Sequence, residues 1–454
     1  MSAHSEPSPT QQPPQGHRGA VATKKTKKAT SKEERRILSA TLVGTTIEWY
    51  DFFIYAQAAG LIFAAQFFKP LGEDNETLAQ IISWASLGIS FLFRPLGAAV
   101  AGHLGDKYGR KLVLAGTLIL MGLATAAIGI LPTYGTWGIA APIVLILLRI
   151  LQGFSAGGEW GGAALLAVEH APRNKRGLYG AYPQIGVPLG LAFATSVLLI
   201  LTATLGTDAY MDWAWRIPFV VSLVLVAVGV IVRLKVSESP VFEEIRERAE
   251  ESSAPLGVLL KNHSPLVIKA ALIFAANNAC GYMVIAFFGS YASKTLGLNQ
   301  NHVFLSVILA AIAWTAMTLW SGKLSDQIGR RQTFMIGYVL LFVLIIPVWM
   351  LVDTANVIWF AMALLLMIPG LALSYGPQSA MYAELFPRDI RFSGVSVGYA
   401  LGSILGGAFA PMIAQMLLSR TGHTWSIGIY LMILCAISLL ALARTPKDLH
   451  TQEL

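Results

Sequence analysis

Residues 102–111 read Gly-His-Leu-Gly-Asp-Lys-Tyr-Gly-Arg-Lys, and residues 322–331, 220 positions later, read Gly-Lys-Leu-Ser-Asp-Gln-Ile-Gly-Arg-Arg. A second motif, Glu-x-x-Pro-x-x-x-Arg, begins at Glu169 and returns 215 positions later at Glu384. Two motif pairs with nearly the same separation indicate that one structural unit occurs twice. The repeat therefore predicts a chain made of two similar halves.

The apolar composition places both halves in a membrane. The chain has 454 residues, of which 55% are hydrophobic and 13% charged, whereas a soluble domain has about 45–50% apolar and about 25% charged residues. A membrane-spanning helix needs about 20 mostly apolar residues. Twelve such runs lie near residues 38–64, 78–102, 112–131, 139–168, 178–203, 214–234, 266–292, 303–322, 333–352, 357–382, 393–418 and 425–443. We predict an all-α integral membrane protein with twelve transmembrane helices in two pseudo-symmetric six-helix bundles.

These runs divide the chain into five parts. We predict a disordered basic cytoplasmic tail at residues 1–36, an N-terminal bundle at 37–235, a cytoplasmic linker at 236–265, a C-terminal bundle at 266–444 and a cytoplasmic tail at 445–454. Lys and Arg are retained on the cytoplasmic side of membranes. With both termini inside, 27 of the 33 Lys and Arg residues are assigned to that side or to the span ends there, four to the outside, and Arg94 and Arg149 are left within the membrane. Both termini are therefore predicted to be cytoplasmic.

Several functional classes are disfavoured. The net charge of +8 and the basic cluster at 24–28 would suit nucleic acid, but a tail that contacts anionic lipid explains them as well, so we expect no nucleic-acid partner. Cys280 and Cys435 lie in apolar runs, and the histidines are isolated, so we expect neither a disulfide framework nor a metal site. The sequence has no Gly-x-x-x-x-Gly-Lys-Ser/Thr loop for ATP and no nucleophile–base motif, so we expect no pump and no enzyme.

Each repeated motif carries charges that can pair with one another. The charged positions are Asp106, Arg110 and Glu169 in the first half and Asp326, Arg330 and Glu384 in the second. Aspartate is suited to face a helix N-terminus, and arginine is suited to pair with an acid on the adjacent span. We predict that Arg110 pairs with Glu169 and Arg330 with Glu384, and that these pairs close a cytoplasmic gate. The alternative is that they are ordinary loop charges.

The motifs resemble those of a known family. Residues 102–111 and their repeat resemble the loop motif of the major facilitator superfamily, and Arg149-x-x-Gln-Gly resembles its fourth-helix motif. Four segments are similar to the metabolite:proton symporter branch: Glu-Trp-Tyr-Asp-Phe at 48–52, Phe-Arg-Pro-Leu-Gly at 93–97, Gln-Gly-Phe-Ser-Ala-Gly-Gly-Glu-Trp-Gly-Gly at 152–162 and Glu-Leu-Phe-Pro at 384–387. The resemblance covers the chain after residue 35. It implies the major facilitator fold and proton-coupled import of carboxylates such as citrate, 2-oxoglutarate or shikimate, or of zwitterions such as proline or betaine. One departure is Gln327, which stands where the first repeat has Lys107.

Two acids on span 1 are the candidates for proton coupling. An ionisable side chain within a span costs about 2.5 kcal/mol or more on insertion, so it needs a partner or a function. Glu48 and Asp51 are three residues apart and Tyr55 follows four residues later, so the three share one helical face. Two neighbouring carboxylates repel when both are ionised, so one is expected to hold a proton. We predict Asp51 first and Glu48 second as the coupling group; the alternative is a structural ion pair with Arg94 or Arg149.

Arg149 and Arg94 are the leading candidates for substrate binding, because a guanidinium can hold a carboxylate through two hydrogen bonds. Arg149 and Glu159 lie ten residues apart, about 15 Å along one helix, so they cannot bond directly within it. The alternatives are that Arg94 pairs with an acid of span 1, and that neighbouring helices satisfy Arg149 and Glu159. Tyr55, Gln152 and Glu159 complete the set of candidates from the first half.

The second half offers neutral candidates. Asn277 and Tyr282 on span 7, and Tyr375 and Gln378 on span 10, supply hydrogen-bonding groups, and Gln378 and Tyr375 share a face by their spacing. No acidic or basic residue occupies the middle of a span in this half. Charge recognition is therefore expected in the first half, with shape and neutral contacts supplied by the second.

The expected function is secondary active transport by alternating access, in which one half rocks against the other around a central site. The specific prediction is proton-coupled symport of a small carboxylate or zwitterion by a functional monomer in a plasma or inner membrane. The proton gradient would be the energy source, and no cofactor is expected. The alternatives are proton-coupled efflux or uniport of a small organic compound, or a nutrient sensor built on a transporter fold, for which the ten residues after Arg444 supply no long signalling extension.

Overall fold

The computed structural model describes residues 31–72, 75–108, 110–157, 159–169, 171–235, 259, 261–387 and 390–451. Side chains are not described at 31–41, 101–103, 105–108, 110–114, 159, 166, 232–235 and 450. The predicted tail at 1–36 and linker at 236–265 therefore lie largely outside the described residues. The side chains of Asp106, Arg110 and Glu159 lie outside them too.

Twelve helical spans follow one another within the described ranges. Spans 1 to 6 are formed by Ser31–Ala58 with Ala59–Phe68, Glu76–Tyr108, Arg110–Ile130, Ala140–Ser155 with Glu159–Glu169, Arg176–Gln184 with Gly186–Leu205, and Thr207–Ala209 and Tyr210–Ala214 with Arg216–Lys235. Spans 7 to 12 are formed by Ser264–Tyr282 with Met283–Phe287 and Phe288–Lys294, Gln300–Ile328, Arg330–Val352, Val357–Leu373 with Gln378–Leu385, Arg391–Ser403 with Ile404–Ala408 and Ala410–Thr421, and Trp425–Ala443. Short helices at Lys69–Gly72, Tyr134–Trp137, Arg173–Lys175 and Leu449–Thr451 lie between or after the spans.

Ten of these spans are long and apolar enough to cross a membrane. Span 6 is an eleventh such helix if its two parts, which are bent by 65° relative to each other, are counted as one. Span 3 contains a shorter apolar helix, Ala115–Ile130. Their exposed surfaces are apolar: Val343 and Ile433, for example, point outward from spans 9 and 12. A helix that exposes such side chains is suited to hydrocarbon rather than to water.

Interruptions in the helices repeat between the two halves. Span 4 turns at residues 156–157 and span 10 turns at 374–377, where the sequence is Ser-Tyr-Gly-Pro. Spans 1 and 7 both contain π-helical turns, at Ala59–Phe68 and Met283–Phe287. Proline lacks the amide that would continue the hydrogen-bond ladder, and π-helical turns often mark functional positions. Span 10 is therefore two helices, and Tyr375 lies in the turn between them rather than on the helical face predicted to hold it together with Gln378.

Glycines allow spans 2 and 4 to touch through their backbones. A β-carbon at Gly97 would overlap the carbonyl of Phe154, and one at Gly153 would overlap the backbone of Ser90. Gly376 makes the corresponding approach in the second half, where a β-carbon would overlap the side chain of Ser321 on span 8. Small residues at helix crossings permit this close packing in membranes. The crossing fixes the distance between the buried arginines of spans 2 and 4.

The two halves contact each other at both ends of the spans. We call the end where residues 322–331 lie the motif end. At the opposite end, Ser290 Oγ donates to the carbonyl of Gly60 at 2.7 Å, and Lys294 Nζ donates to Gln80 Oε1 at 3.0 Å. Contacts at the motif end are described below. The described residues of the two halves are thus in contact at both ends of the spans.

Candidate functional site

Asp51 of span 1 is a buried carboxylate held by a neighbouring helix. Its side chain is only 1% exposed, and its Oδ2 accepts a 3.2 Å hydrogen bond from Thr125 Oγ1 on span 3. Ser222 of span 6 lies beside the carboxyl group, yet Oδ1 has no partner of normal hydrogen-bond geometry among the described residues. A buried carboxylate with an unused acceptor is a place where a proton can be bound.

A chain of side-chain hydrogen bonds leads from Asp51 to Arg149. Thr125 Oγ1 has one proton, which it shares between Asp51 Oδ2 at 3.2 Å and the carbonyl of Met121 at 2.8 Å, and it accepts from Gln152 Nε2 at 2.8 Å. Arg149 Nη1 in turn donates to Gln152 Oε1 at 2.9 Å. The path therefore joins spans 1, 3 and 4 through four consecutive polar groups. Thr125 was missed in the sequence because a threonine in an apolar run carries no distinctive signal.

Arg149 is fully enclosed by aromatic and backbone groups. Its guanidinium carbon lies 4.0 Å from the ring centre of Tyr55 and 4.4 Å from that of Phe52. Nη2 donates to the carbonyl of Leu87 at 3.4 Å, while Nε has no partner among the described residues. The Tyr55 hydroxyl is bound to Ser86 at 2.7 Å, so Tyr55 offers Arg149 its ring. No ion pair in the described part of the chain includes Arg149, which leaves this buried cation able to accept an anionic partner.

Arg94 lies on the other side of Phe52. Its guanidinium carbon is 4.6 Å from the ring centre of Phe91, 5.1 Å from that of Phe52 and 5.6 Å from that of Trp49. Its Nε is buried without a hydrogen-bond partner among the described residues. Among the described residues, no ion pair of 4.0 Å or less joins Arg94 to Asp51. Cation–π contacts hold the guanidinium while leaving its N–H donors available.

These groups surround one small cavity in the N-terminal half. Glu48, Asp51, Arg94, Arg149 and Gln152 all line it, and its volume is about 10 Å³. This is room for little more than one water. The predicted coupling acids and the two arginines are thus neighbours around one small space.

Tyr282 brings the second half to this cluster. Its ring centre is 5.9 Å from that of Phe52 and 5.6 Å from that of Phe91, and its hydroxyl is buried without a partner among the described residues. Asn277, the other candidate of span 7, is bonded elsewhere: its Nδ2 donates to the carbonyl of Leu371 at 3.0 Å and to Ser374 Oγ at 2.8 Å. Tyr282 therefore faces the arginines, whereas Asn277 braces the turn of span 10.

An aromatic contact joins the halves between the arginine cluster and the motif end. Trp160 of span 4 stacks on Tyr399 of span 11 with ring centres 3.7 Å apart and planes 11° apart. Trp160 Nε1 also donates to Gln184 Oε1 at 2.9 Å. Gln184 Nε2 donates to the carbonyl of Tyr375 at 3.2 Å and to Gln378 Oε1 at 3.4 Å. Tyr375 and Gln378 were predicted from the sequence as site residues. Trp160, Tyr399 and Gln184 were not, because a contact between halves leaves no local pattern in the sequence.

Arg330 is the centre of a buried charge cluster at the motif end. Its Nε and Nη2 donate to the two carboxylate oxygens of Glu384, each at 3.1 Å, and its Nη1 donates to Asp326 Oδ1 at 2.7 Å. Arg176 of the other half lies 3.9 Å from Glu384 Oε1. The two-pronged geometry is the strong form of an arginine–carboxylate pair.

Asp326 also binds the start of span 5 in the opposite half. Its Oδ1 accepts from the amide of Gly177 at 2.8 Å, and its Oδ2 accepts from the amide of Leu178 at 3.0 Å. These amides belong to the first turn of Arg176–Gln184 and have no partner within that helix. A carboxylate at this position is favoured by the helix dipole. Asp326 therefore links the two halves directly.

Glu169 pairs with an arginine of the other half. It lies 3.7 Å from Arg391 Nη1. The pair predicted from the sequence, Glu169 with Arg110, lies outside the described residues, because the Arg110 side chain is not described. Glu169 and Arg176 belong to the first Glu-x-x-Pro-x-x-x-Arg motif, and Glu384 and Arg391 belong to the second. The glutamate of each motif thus meets the arginine of the other. The repeat identified these residues but gave no information about which half supplies each partner.

Comparison with known proteins agrees with this architecture. Residues 42–411 match the family model described as Major Facilitator Superfamily. The chain is 40% identical over 420 residues to the inner membrane metabolite transport protein YhjE of Escherichia coli (strain K12), covering 91% of this chain and 94% of that protein. It is 36% identical over 413 residues to the shikimate transporter of the same organism, covering 89% of this chain and 92% of that protein.

A solved structure shares the fold. The crystal structure of a D-xylose–proton symporter superposes with a TM-score of 0.72 at 18% sequence identity, covering 91% of this chain and 98% of that chain. The prediction of an all-α membrane protein with two six-helix bundles is confirmed. The family and these relatives are membrane transporters rather than enzymes.

Proposed function

Because the chain belongs to the major facilitator superfamily, we propose that it is a proton-coupled symporter of a small carboxylate, or of a zwitterion bound through its carboxylate. The observation that carries the proposal is the hydrogen-bonded path from Asp51 through Thr125 and Gln152 to Arg149. It joins a candidate proton acceptor to a candidate substrate-binding cation. Such a path gives a physical route for one binding event to influence the other.

The coupling follows from charge. When Asp51 is ionised, its negative charge opposes the entry of a substrate carboxylate beside Arg149. A proton on Asp51 removes that repulsion, and a bound carboxylate in turn stabilises the proton, because linkage between two ligands is reciprocal. The substrate carboxylate would replace Gln152 Oε1 on Arg149 Nη1 and take donors from Arg94 and Tyr282, whose Nε and hydroxyl are without partners among the described residues.

Glu48 would serve as the second coupling acid. It lines the same cavity as Asp51 and is buried. A negative charge at Glu48 also increases the cost of ionising Asp51, since two nearby carboxylates repel. Glu48 thereby favours the form of Asp51 that carries a proton.

Alternating access would use the contacts at the two ends. Opening at the motif end requires Asp326 to leave the amides of Gly177 and Leu178, and Trp160 to separate from Tyr399. Opening at the opposite end requires Ser290 to leave the carbonyl of Gly60. The charge asymmetry of the loops supports a cytoplasmic motif end, cytoplasmic termini and residence in an inner or plasma membrane. The bundles form one transport path, so the working unit is a monomer driven by the proton gradient without a cofactor.

The test is uptake by the purified full-length protein in proteoliposomes. The labelled panel contains dicarboxylates, tricarboxylates, shikimate, aromatic acids, proline and betaine, with and without an inward proton gradient. We expect gradient-dependent uptake of one compound, its loss in Asp51→Asn, and unchanged uptake in Glu76→Gln, which alters an exposed acid outside the cluster. Uptake that ignores the gradient would contradict symport and leave uniport or exchange. Gradient-dependent uptake that survives in Asp51→Asn would remove Asp51 from the coupling role.

A further inference from the structure

A second and larger cavity lies in the C-terminal half, far from the arginine cluster. It is formed where span 7 ends, span 9 ends and span 12 begins, and its volume is about 270 Å³. Span 9 runs from Arg330 to Val352, so the cavity is at the end opposite the motif end. Asp353, Trp349, His423, Met350 and Trp425 are among the residues that line it.

Asp353 supplies a fixed negative charge in this cavity. Its Oδ1 accepts from the Tyr291 hydroxyl at 3.0 Å, and its Oδ2 accepts from the Thr424 hydroxyl. No ion pair includes Asp353 among the described residues. An ionised carboxylate has about four acceptor positions. The two hydroxyls therefore hold the group in place and leave acceptor positions for a cationic ligand.

Trp349 supplies a buried donor in the same wall. Its side chain is 2% exposed, and Nε1 has no hydrogen-bond partner among the described residues. The ring itself is held by Phe288, whose centre is 4.8 Å away, and by Tyr291 at 5.8 Å. Buried indole N–H groups usually find an acceptor. At the rim, His423 stacks on Trp425 with ring centres 6.2 Å apart and adds a second nitrogen-bearing ring.

The open side of the cavity meets the lipid-facing surface. Met350 is 68% exposed and Trp425 52% exposed, and both line the cavity. Val343 on span 9 and Ile433 on span 12 continue that apolar surface toward the membrane centre. Tryptophan is enriched at the level of lipid headgroups. The cavity thus combines an acceptor, a buried donor and an apolar exit at the end of the spans opposite the motif end.

We propose that this cavity binds the headgroup of a phospholipid with a primary ammonium, of the phosphatidylethanolamine class. The ammonium would donate to Asp353, the phosphate would accept from Trp349 Nε1 and His423, and the acyl chains would lie along Met350 and Trp425. A primary ammonium is preferred over a quaternary one because only the former can donate hydrogen bonds to the carboxylate. The bound lipid would link spans 7, 9 and 12 at the end opposite the motif end.

The test measures lipid binding to the delipidated full-length protein in detergent. Phosphatidylethanolamine, phosphatidylcholine and phosphatidylglycerol of matched chains are titrated, with retained lipid counted by native mass spectrometry and the unfolding temperature recorded. We expect phosphatidylethanolamine to bind most tightly and to raise the unfolding temperature most. Trp349→Phe and Asp353→Asn should each weaken its binding by about tenfold, the effect of one hydrogen bond to a charged group. Asp208→Asn, which alters an exposed acid at the same end of the first half, should leave it unchanged.

Three results would overturn the proposal. Equal binding of phosphatidylethanolamine and phosphatidylcholine would mean that the carboxylate does not select the headgroup. If Asp208→Asn weakened phosphatidylethanolamine binding as much as Asp353→Asn does, the effect would be due to surface charge rather than to the cavity. Soluble phosphoethanolamine that competes as effectively as the lipid would identify a free solute, rather than the bilayer, as the source of the ligand. Trp349→Phe keeps an aromatic ring in place, so the protein should still fold. Weaker lipid binding by this variant would therefore be due to the lost N–H donor.

Discussion

Thr125→Val provides the sharpest test of the path between Asp51 and Arg149. Valine has nearly the shape of threonine but removes the hydroxyl that accepts from Gln152 at 2.8 Å and shares its proton between Asp51 at 3.2 Å and the Met121 carbonyl at 2.8 Å. A hydrogen bond to a charged group is worth about 1.5–3 kcal/mol, and about 1.4 kcal/mol corresponds to a tenfold change in an equilibrium. The variant should therefore lose about tenfold or more of the stimulation of uptake by an inward proton gradient, if the path carries the coupling.

The assay compares initial uptake rates in proteoliposomes with and without the gradient, at equal amounts of reconstituted protein. Thr125→Ser retains the hydroxyl and should recover most of the stimulation. Thr204→Val is the matched control. Among the described residues, the Thr204 hydroxyl bonds only to carbonyls of its own helix, those of Ile200 at 2.7 Å and Leu201 at 3.4 Å. A Thr125→Val protein that folds, transports and keeps the full stimulation would refute the path as the coupling route.

Three further predictions concern other contacts. Glu384→Gln removes the carboxylate bound to Arg330 at 3.1 Å. Because breaking a buried ion pair costs about 3–5 kcal/mol, amide hydrogen exchange should rise in residues 176–184. Unchanged exchange would contradict a gate at these residues. In Arg149→Lys, the lysine cannot reproduce both the contacts with the rings of Tyr55 and Phe52 at 4.0 and 4.4 Å and the hydrogen bond to Gln152. Uptake should therefore fall by about 100-fold. Near-normal uptake would exclude Arg149 from the substrate site. Gly97→Ala should reduce the yield of folded protein, because the added β-carbon would overlap the backbone of Phe154. Gly116→Ala should not reduce it, because a β-carbon there has no neighbour within 4 Å. Equal yields would contradict the close crossing of spans 2 and 4.

The spans could be predicted because membrane insertion leaves a local signal. Each apolar run must be long enough to cross the hydrocarbon layer, so the length and position of a span can be predicted from one continuous segment of sequence. The interruption of span 10 at residues 374–377 was not predicted, although Gly376 and Pro377 are present there. Proline is tolerated inside membrane helices, as at Pro347 of span 9, where the helix continues. Sequence alone therefore does not distinguish a broken helix from a continuous one.

The candidate site was only partly predictable for a related reason. Charged residues in apolar runs are conspicuous, so Asp51, Arg94 and Arg149 could be named. Thr125 could not, since its role depends on the packing of span 3 against spans 1 and 4, which places its hydroxyl between two side chains. The contact between Trp160 and Tyr399 depends on how one half docks on the other. A repeat in sequence shows that two halves are alike but carries no information about their interface.

The exchange of partners between the two Glu-x-x-Pro-x-x-x-Arg motifs has an evolutionary consequence. In a two-fold symmetric homodimer, residue i of one subunit meets residue j of the other, and the same contact recurs with the subunits reversed. Glu169 with Arg391, and Glu384 with Arg176, form that reciprocal arrangement inside a single chain. The contact pattern between the two halves is thus that of a two-fold symmetric interface. A charge reversal at Glu169 would be compensated by the opposite change at Arg391 in the other repeat, so these two positions are expected to change together.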